Sequence, residues 1–497
     1  MISLRRMAVF GVLCLVLVSI GVVPTHGSRK AGQRPVKSIM VCYFLNDSDY
    51  KSRSVGAALG RMLRYRASNL YQLSNLPPLN VVERVMQEQK LRGGLSLNTS
   101  NALKVAKASG QELAVVGTVT RSGSGFRVKA YIYDSASGRE IGKPNTVTAT
   151  ESNLHRLEAR LSSAIFGGIG AQFTVRQRAD LAKPLTGHYE AVRLLGDYLL
   201  ARPKAAPSFL KRLIAADPNF PLGAVHKVDS MLAGGRAWEA LVAVREWSAR
   251  LPSNRDFSSY EFGALLATGR VSEASTLLKR MEAGYPNSFS VGLLRYWLLR
   301  LEGDDRGAVE TARRLTSLNP ASSEACGCYA AAAVRLALRV GGAESANYIR
   351  ISRVSAERAV NLDPNYKEAW LMLMAAYREQ GDINRSSAAF RRLIALDARN
   401  ADALSSQAIN YLCRNDVRSA RKLWSASFSA DRSRAEALVG LALCAKTLGD
   451  ATLAGGHLRR AAAADKRCVD ATYLRREKYW PIQLARTVAA LNSGKQR

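Results

Sequence analysis

Five adjacent pairs of cations recur along the chain: Lys211-Arg212, Lys279-Arg280, Arg313-Arg314, Arg391-Arg392 and Arg459-Arg460. Each pair falls at the same place within a repeating period, so on folding the pairs would line up as a basic ridge. The chemistry of such a ridge is attraction of anions rather than the making or breaking of bonds. The whole chain shares the bias: 72 Lys and Arg against 40 Asp and Glu give a formal net charge of +32 over 497 residues. Acidic polymers of any kind would be held at low salt through release of their counterions. Cations close to a helix C-terminus also stabilise the helix, which is a competing explanation for a single pair.

Residue sets that could carry catalysis fall short. Gly117, Gly123 and Gly125 lie within and between strand-like segments, with no Lys-Ser or Lys-Thr and no helix behind them. They read as a hairpin and not as a phosphate loop. Glu83 and Glu88 have no nucleophile or positioned second carboxylate near them. His155, His188, His226 and His457 are isolated and lack metal-ligand spacing. Of seven cysteines, Cys326 and Cys328 are too close on one helix to pair, and Cys413, Cys444 and Cys468 fall in helical patterns. They are expected to be buried and reduced. No catalytic residue, cofactor or metal is expected, and the chain reads as a non-enzyme.

The elements that must position the cations follow a ruler. Pro184, Pro218, Pro252, Pro286 and Pro320 are each 34 residues apart; the series slips by ten to Pro364, and Asp363, Asp397, Asp431 and Asp465 resume the spacing of 34. A period of this length means stacked supersecondary units. Two helix-length apolar patterns lie between successive marks. Gly235, Gly269, Gly303, Gly381 and Gly449, with Asn415 in its own unit, suit the left-handed conformation that ends a first helix. Asp304, Asp382, Asp416 and Asp450 follow as caps of a second helix. Ala240, Ala274, Ala308, Ala420 and Ala454 keep the crossing of the two helices small.

Residues 367–400 carry Trp370, Leu373, Tyr377, Gly381, Phe390 and Asp397 at the places that make this stretch resemble the tetratricopeptide repeat (TPR), with Ser386 for the usual alanine and Ala398 for the proline. The resemblance implies eight such units: 187–220, 221–254, 255–288, 289–322, an extended 323–366, 367–400, 401–434 and 435–468. Residues 469–497 would be a polar closing helix and tail. It also implies that the first helix of each unit lines a groove for a protein partner. The groove positions are Ala191, Leu195, Val225, Leu293, Trp297, Leu371, Ala375, Ile409, Val439 and Leu443. They lack the Lys, Asn and Arg set with which the family holds a peptide carboxylate. An apolar trough suits an amphipathic helix or an extended hydrophobic segment, from this protein or another; packing between neighbouring repeats is the alternative. The basic pairs would face the outer surface.

Residues 36–180 have a different texture. VKSIMVCYFL reads as a strand, SVGAALGRMLRYRASNLYQL as a helix, PLNVVER as a strand and NTSNALKVAKASG as a capped helix. QELAVVGTVTRSGSGFRVKAYIYDSASGREIG then alternates like three strands, with turns at Ser122–Gly125 and Ser135–Gly138. The fold class expected is α+β: an N-terminal α/β sandwich, then an all-α superhelical solenoid. On Glu83-Arg84, Glu88-Gln89, the strand at 115–120 and Asp134 with Gly138, the first domain resembles the bacterial envelope family of FlgO-type flagellar lipoproteins, the curli secretion channel subunit (CsgG-like) and the amino-terminal domain of TolB. The lipobox is missing, and the domain is too short for added membrane-spanning hairpins.

Arg5 and Arg6 precede an apolar run of 17 residues from Met7 to Val23, and Thr25-His26-Gly27 suits cleavage after residue 27. This is a signal peptide or a short inner-membrane anchor. Export to the periplasm or cell envelope is expected, with protein partners in the groove and an anionic membrane surface or acidic envelope glycan on the ridge. An exported chain disfavours nucleic acid. The function expected is a non-enzymatic envelope scaffold; the alternatives are an accessory subunit of a secretion or transport assembly, oligomerising through the first domain, and a membrane-anchored sensor or regulator.

Overall fold

The computed structural model describes residues 37–44, 49–68, 73–74, 97–108, 111–169, 173–251, 256–284, 286, 288–320 and 322–493. The segment at 1–27 and the family-like residues 83–84 and 88–89 lie outside these. Described residues up to Leu294 form one compact unit and those from Arg295 onward a second. The fold class is α+β.

The first unit opens on a five-stranded sheet in the order β2-β1-β3-β4-β5. Strand β1 (Lys37–Val41) runs parallel to the short β2 (Leu73–Ser74) and to β3 (Leu113–Ser122), while β4 (Gly125–Asp134) and β5 (Asn145–Thr150) add antiparallel. The β3–β4 register runs from Leu113 opposite Asp134 to Ser122 opposite Gly125, and Gly123 turns the hairpin at φ 58°. The third antiparallel strand is not where the alternation placed it. Gly138 does reverse the chain at φ 71°, but the returning stretch makes a single bridge between Tyr133 and Glu140 before β5 begins at Asn145. A second positive-φ glycine, Gly142, and Pro144 delay the pairing.

Because successive side chains of β1 and β3 point to opposite faces, the sheet has two cores. Ile39, Val41, Leu113 and Val115 pack under α1 (Tyr50–Ser68) and α3 (Leu154–Gly168), the latter a helix that the sequence reading passed over. Met40, Cys42, Ala114 and Val116 pack under α2 (Thr99–Ala108), which is capped by Asn98 accepting from the Asn101 amide at 2.9 Å. Helix α4 (Val175–Ala182) carries a reciprocal capping box of Thr174 and Gln177. Next comes α5 (Tyr189–Leu200), which lies on α1 so closely that a Cβ on Gly196 would sit 2.0 Å from the Ser54 carbonyl oxygen. Ser54 donates across this contact to Asp197 at 2.8 Å. The first core thus runs without a break from the sheet into the first helical pairs.

Helices follow in pairs: α5 with α6 (Ala206–Ala216), α7 (Pro221–Ala233) with α8 (Ala237–Arg250), α9 (Asp256–Ala267) with α10 (Val271–Gly284), and α11 (Phe289–Glu302) with α12 (Asp305–Leu318). Then come α13 (Ser323–Ala337) with α14 (Gly342–Leu362), α15 (Lys367–Glu379) with α16 (Ile383–Leu396), α17 (Ala401–Cys413) with α18 (Val417–Ala430), and α19 (Ala435–Thr447) with α20 (Ala451–Ala464). The hinge inside a pair is local chemistry. Gly235, Gly269, Gly303, Gly381 and Gly449 have φ of 74°, 78°, 80°, 79° and 85°, and Asn415 has 61°. Asp304, Asp382, Asp416 and Asp450 cap the second helices, accepting from the amides of Gly307, Arg385, Ser419 and Leu453 at 2.9, 2.9, 3.1 and 2.8 Å.

Between pairs the aspartate matters as much as the proline. Asp217, Asp363, Asp397, Asp431 and Asp465 each accept from the backbone amide two residues on, at 2.9 to 3.3 Å, which bends the chain into the next first helix. Where the ruler slips by ten residues, the second helix has grown: α14 has 21 residues against 14 in α16. The closing segment is two helices rather than one, α21 (Ala471–Lys478) and α22 (Ile482–Asn492), parted at Tyr479, which is left-handed at φ 56°.

Candidate partner-binding surfaces

The groove positions divide by accessibility. Leu293, Ala375, Ile409, Val439 and Leu443 are buried, as are Ala191, Leu195 and Val225, while Trp297 and Leu371 are half-buried. The buried set packs among neighbouring helices, as Ile409, Val439 and Leu443 do with Trp424 and Trp480. Trp297 and Leu371 are therefore the expected groove residues with surface left for a partner.

Sequence reading missed the charges on the same row of first helices. In the second unit these are Arg300 of α11, Arg335 of α13 with Arg339 just beyond its end, Arg378 and Glu379 of α15, and Glu436 of α19. Arg335 donates to Asp305 at 2.6 Å and to Glu477, and Arg339 reaches the other oxygen of Asp305 at 2.6 Å. Arg300 donates to the Tyr296 hydroxyl at 3.0 Å. Arg378 donates to Ser406 Oγ at 2.9 Å and to the Tyr479 carbonyl at 2.7 Å, and among the described residues it forms no ion pair. Burial pushes its guanidinium below the ordinary value. Burial opposes the charge on Glu436 too, but the Lys478 ammonium, 3.0 Å away, and Arg434 outweigh it and hold the carboxyl below its usual range. No spacing rule flags Arg335, Arg378, Glu379 or the Glu436–Lys478 pair, because those partners are remote in sequence.

All ten ridge residues, Lys211, Arg212, Lys279, Arg280, Arg313, Arg314, Arg391, Arg392, Arg459 and Arg460, are exposed. Each pair sits between two inward positions three residues apart, such as Ala312 and Leu315 or Leu458 and Ala461, so helical periodicity turns it to solvent. None of the five helices has a cation in its last turn. Stabilisation of helix ends, confined to that turn, does not account for the pairs. The same place holds Arg245-Glu246, Glu357-Arg358 and Ser425-Ala426 in the remaining second helices, so the positive charge comes in patches. Arg313 is held by Glu310 at 2.6 Å, and Arg212 and Arg460 lie over the rings of Phe209 and Phe428, whereas Arg391 and Arg392 form no ion pair among the described residues.

A titratable pair lies on α7. Tyr260 donates to Asp229 at 3.3 Å, its other carboxylate oxygen is buried without a hydrogen bond, and burial raises its pKa to about 7 against the opposing pull of Arg61. Burial likewise drives the His226 imidazole well below its ordinary value. A carboxyl that keeps its proton on folding stabilises fully below its unfolded pKa, near 4, and loses that contribution as pH rises through about 7. The stability advantage of Asp229→Asn over the parent is therefore expected to grow by about 3 kcal/mol between pH 4.5 and pH 8. Urea unfolding at the two pH values checks it; a difference that does not change with pH means the folded-state carboxyl titrates normally.

Cys42, Cys326, Cys328, Cys444 and Cys468 are buried and free, and Cys413 is free and exposed. Burial pushes the Cys444 and Cys468 thiols up to about 12, which leaves them unreactive. Among the described residues no group of three or more His, Cys, Asp or Glu comes together to hold a metal ion.

No family model matches the chain, and no curated protein matches it. Among solved structures it is similar to a tetratricopeptide repeat protein from Parabacteroides merdae ATCC 43184, at 14% identity over 54% of this chain and 97% of that one, with a TM-score of 0.42. It is similar to PilW, a type IV pilus biogenesis factor, at 19% identity over 42% and 92% of the two chains and a TM-score of 0.36. It is also similar to YrrB, a TPR protein with a peptide-binding site, at 13% identity over 41% and 98% and a TM-score of 0.31. Likeness of this degree says nothing of ligand or partner, and the TPR-like arrangement rests on the paired helices themselves.

Proposed function

We propose that the chain is a non-enzymatic cell-envelope scaffold, exported behind residues 1–27, in which the α/β domain of 36–180 docks on one component and the repeats of 187–468 hold another. The observation that carries this reading is the row of first helices in the second unit, which carries the half-exposed Trp297 and Leu371 and also Arg300, Arg335 and Arg378. A row of parallel helices with apolar and charged side chains in fixed places is suited to gripping a polypeptide. Benzoylphenylalanine placed at Trp297 or Leu371 should crosslink to the same protein partner in intact cells; a chain crosslinked at neither site, while expressed and folded, would leave the reading without support. The likeness of the first domain to FlgO-type, TolB and CsgG-like proteins is part of the same proposal and rests on its sequence alone, on the strand at 115–120 and on Asp134 with Gly138.

The outer patches add a second contact, with an anionic membrane surface or acidic glycan. Replacing Arg313, Arg314, Arg391 and Arg392 with Gln changes helix propensity little, so the fold should survive. Retention on vesicles containing anionic lipid should fall and lose part of its salt dependence, because fewer counterions are released. The control replaces the exposed Lys104, Arg127, Lys143 and Arg156 in the same way. Equal losses in both variants would mean that net charge alone drives adsorption.

A further inference from the structure

Residues 471–480 lie across the row of first helices in the second unit, held by side chains far back in the chain. Arg475 forks onto Glu379 at 2.8 and 2.7 Å, Lys478 reaches Glu436 at 3.0 Å, Glu477 pairs with Arg335, and the Tyr479 carbonyl accepts from Arg378 at 2.7 Å. Trp480, 1% exposed, stacks on Trp424 with ring centroids 5.9 Å apart. The left-handed turn at Tyr479 is unusual for a residue other than glycine or asparagine, and it presents the carbonyl to Arg378.

A segment that only closed the stack would need to cover the last pair, α19 and α20. This one reaches back to α15 and α13 through charges and a carbonyl, while the fully buried Leu474 joins Trp480 in the core cluster of the last pairs. The fit is also incomplete. Among the described residues the buried Nε groups of Arg300 and Arg378 have no hydrogen-bond partner, and neither arginine has a carboxylate in salt-bridge reach. Buried donors left unpaired are costly, so an occupant with one more carboxylate here would be held better.

From this we infer that the first-helix face of the second unit is a peptide-recognition site, filled in the free chain by its own residues 471–480. Its partner is a protein segment with the same basic-acidic-basic order ending on an aromatic ring, plus a further carboxylate opposite Arg300 and Arg378. The inference rests on the scaffold reading and narrows it: the partner must displace the chain's own segment.

The test uses the full chain and fluorescein-labelled synthetic peptides of residues 471–482, with the native sequence or with Tyr479→Glu. Arg475→Glu breaks the internal pair with Glu379 while leaving the receiving face intact. Fluorescence anisotropy should show at least tenfold tighter binding of the native peptide to this variant than to the parent, and tighter binding still of the Tyr479→Glu peptide. Adding Glu379→Arg restores the pair with its charges swapped and should return binding to the parent level. A folded Arg475→Glu chain that takes up neither peptide overturns the inference.

If Arg475→Glu fails to fold, hydrogen exchange on the parent decides. Amides of 474–480 should exchange ahead of those of α15 and α19; exchange in step with those helices would make the segment a fixed part of the core and overturn the idea. Partner crosslinking at Trp297 or Leu371 alongside failed peptide uptake would leave the scaffold reading standing and remove this refinement alone.

Discussion

Glu158→Ala should be among the most damaging single substitutions in the first unit, lowering stability by about 3 to 5 kcal/mol. The Glu158 side chain on α3 is fully buried, and it takes Arg66 of α1 at 2.9 and 3.2 Å and Ser162 at 2.7 Å. Arg66 also donates to the backbone carbonyls of Asp180, at 2.7 Å, and Lys183. One guanidinium therefore ties the two helices covering the sheet to the end of α4, where the chain turns toward the first helical pair. Removing the carboxylate strands a buried cation, and the penalty of that unpaired charge exceeds the worth of the pair itself. Because the groups are out of water, added salt should not mask the loss. Arg66→Met together with Glu158→Leu should recover part of the stability, though the two carbonyls stay without their donor. Urea unfolding measures the three variants, and a single mutant within about 1 kcal/mol of the parent would mean that the pair is open to solvent.

Much of this fold was legible because its signals are local. A left-handed glycine, a capping aspartate and a proline act within four residues of themselves, and they repeat, so the pairs from α11 to α20 could be placed by counting. The sheet was less legible. Val147 belongs to β5 rather than to a strand begun at Arg139, because an alternating pattern says which residues face inward but not where pairing resumes after a glycine-rich detour. Helix α3 was missed for want of an early stop signal between β5 and its first apolar residue.

The candidate site was the least legible part. Arg335 meets Glu477 across 142 residues and Arg378 meets Tyr479 across 101. No period connects such partners, and the break at Tyr479 has no glycine to announce it. Reading the groove from family positions found its apolar floor, most of which is buried, and passed over the arginines beside it. The basic pairs show the converse: their outward direction followed from periodicity, while their patchiness showed only when every second helix was compared at the same place.

The other large effect expected is from Ala420→Trp in the second unit. Ala420 is fully buried on α18 and shares its cluster with Ala408 and Ile409 of α17. The two helices approach so closely that the Ser405 and Ser427 hydroxyls lie 2.9 Å apart, and Ser427 also donates to the Ala401 carbonyl at 2.9 Å. An indole at position 420 has no room unless α18 is pushed away, which breaks both contacts. Overpacking by a few methylenes costs about 1 to 3 kcal/mol, and a whole indole at a helix crossing should exceed that range. The damage should spread, because the same cluster continues through Trp424 to Trp480 and Val488, and each pair in a stack is stabilised by its neighbours. A circular dichroism melt should show an earlier loss of helix, with new proteolytic cuts after α17. Ala426→Trp, on the exposed side of the same helix, is the matched control and should melt with the parent. If the two variants melt alike, Ala420 does not lie at the crossing, and the register of the last pairs must be drawn again.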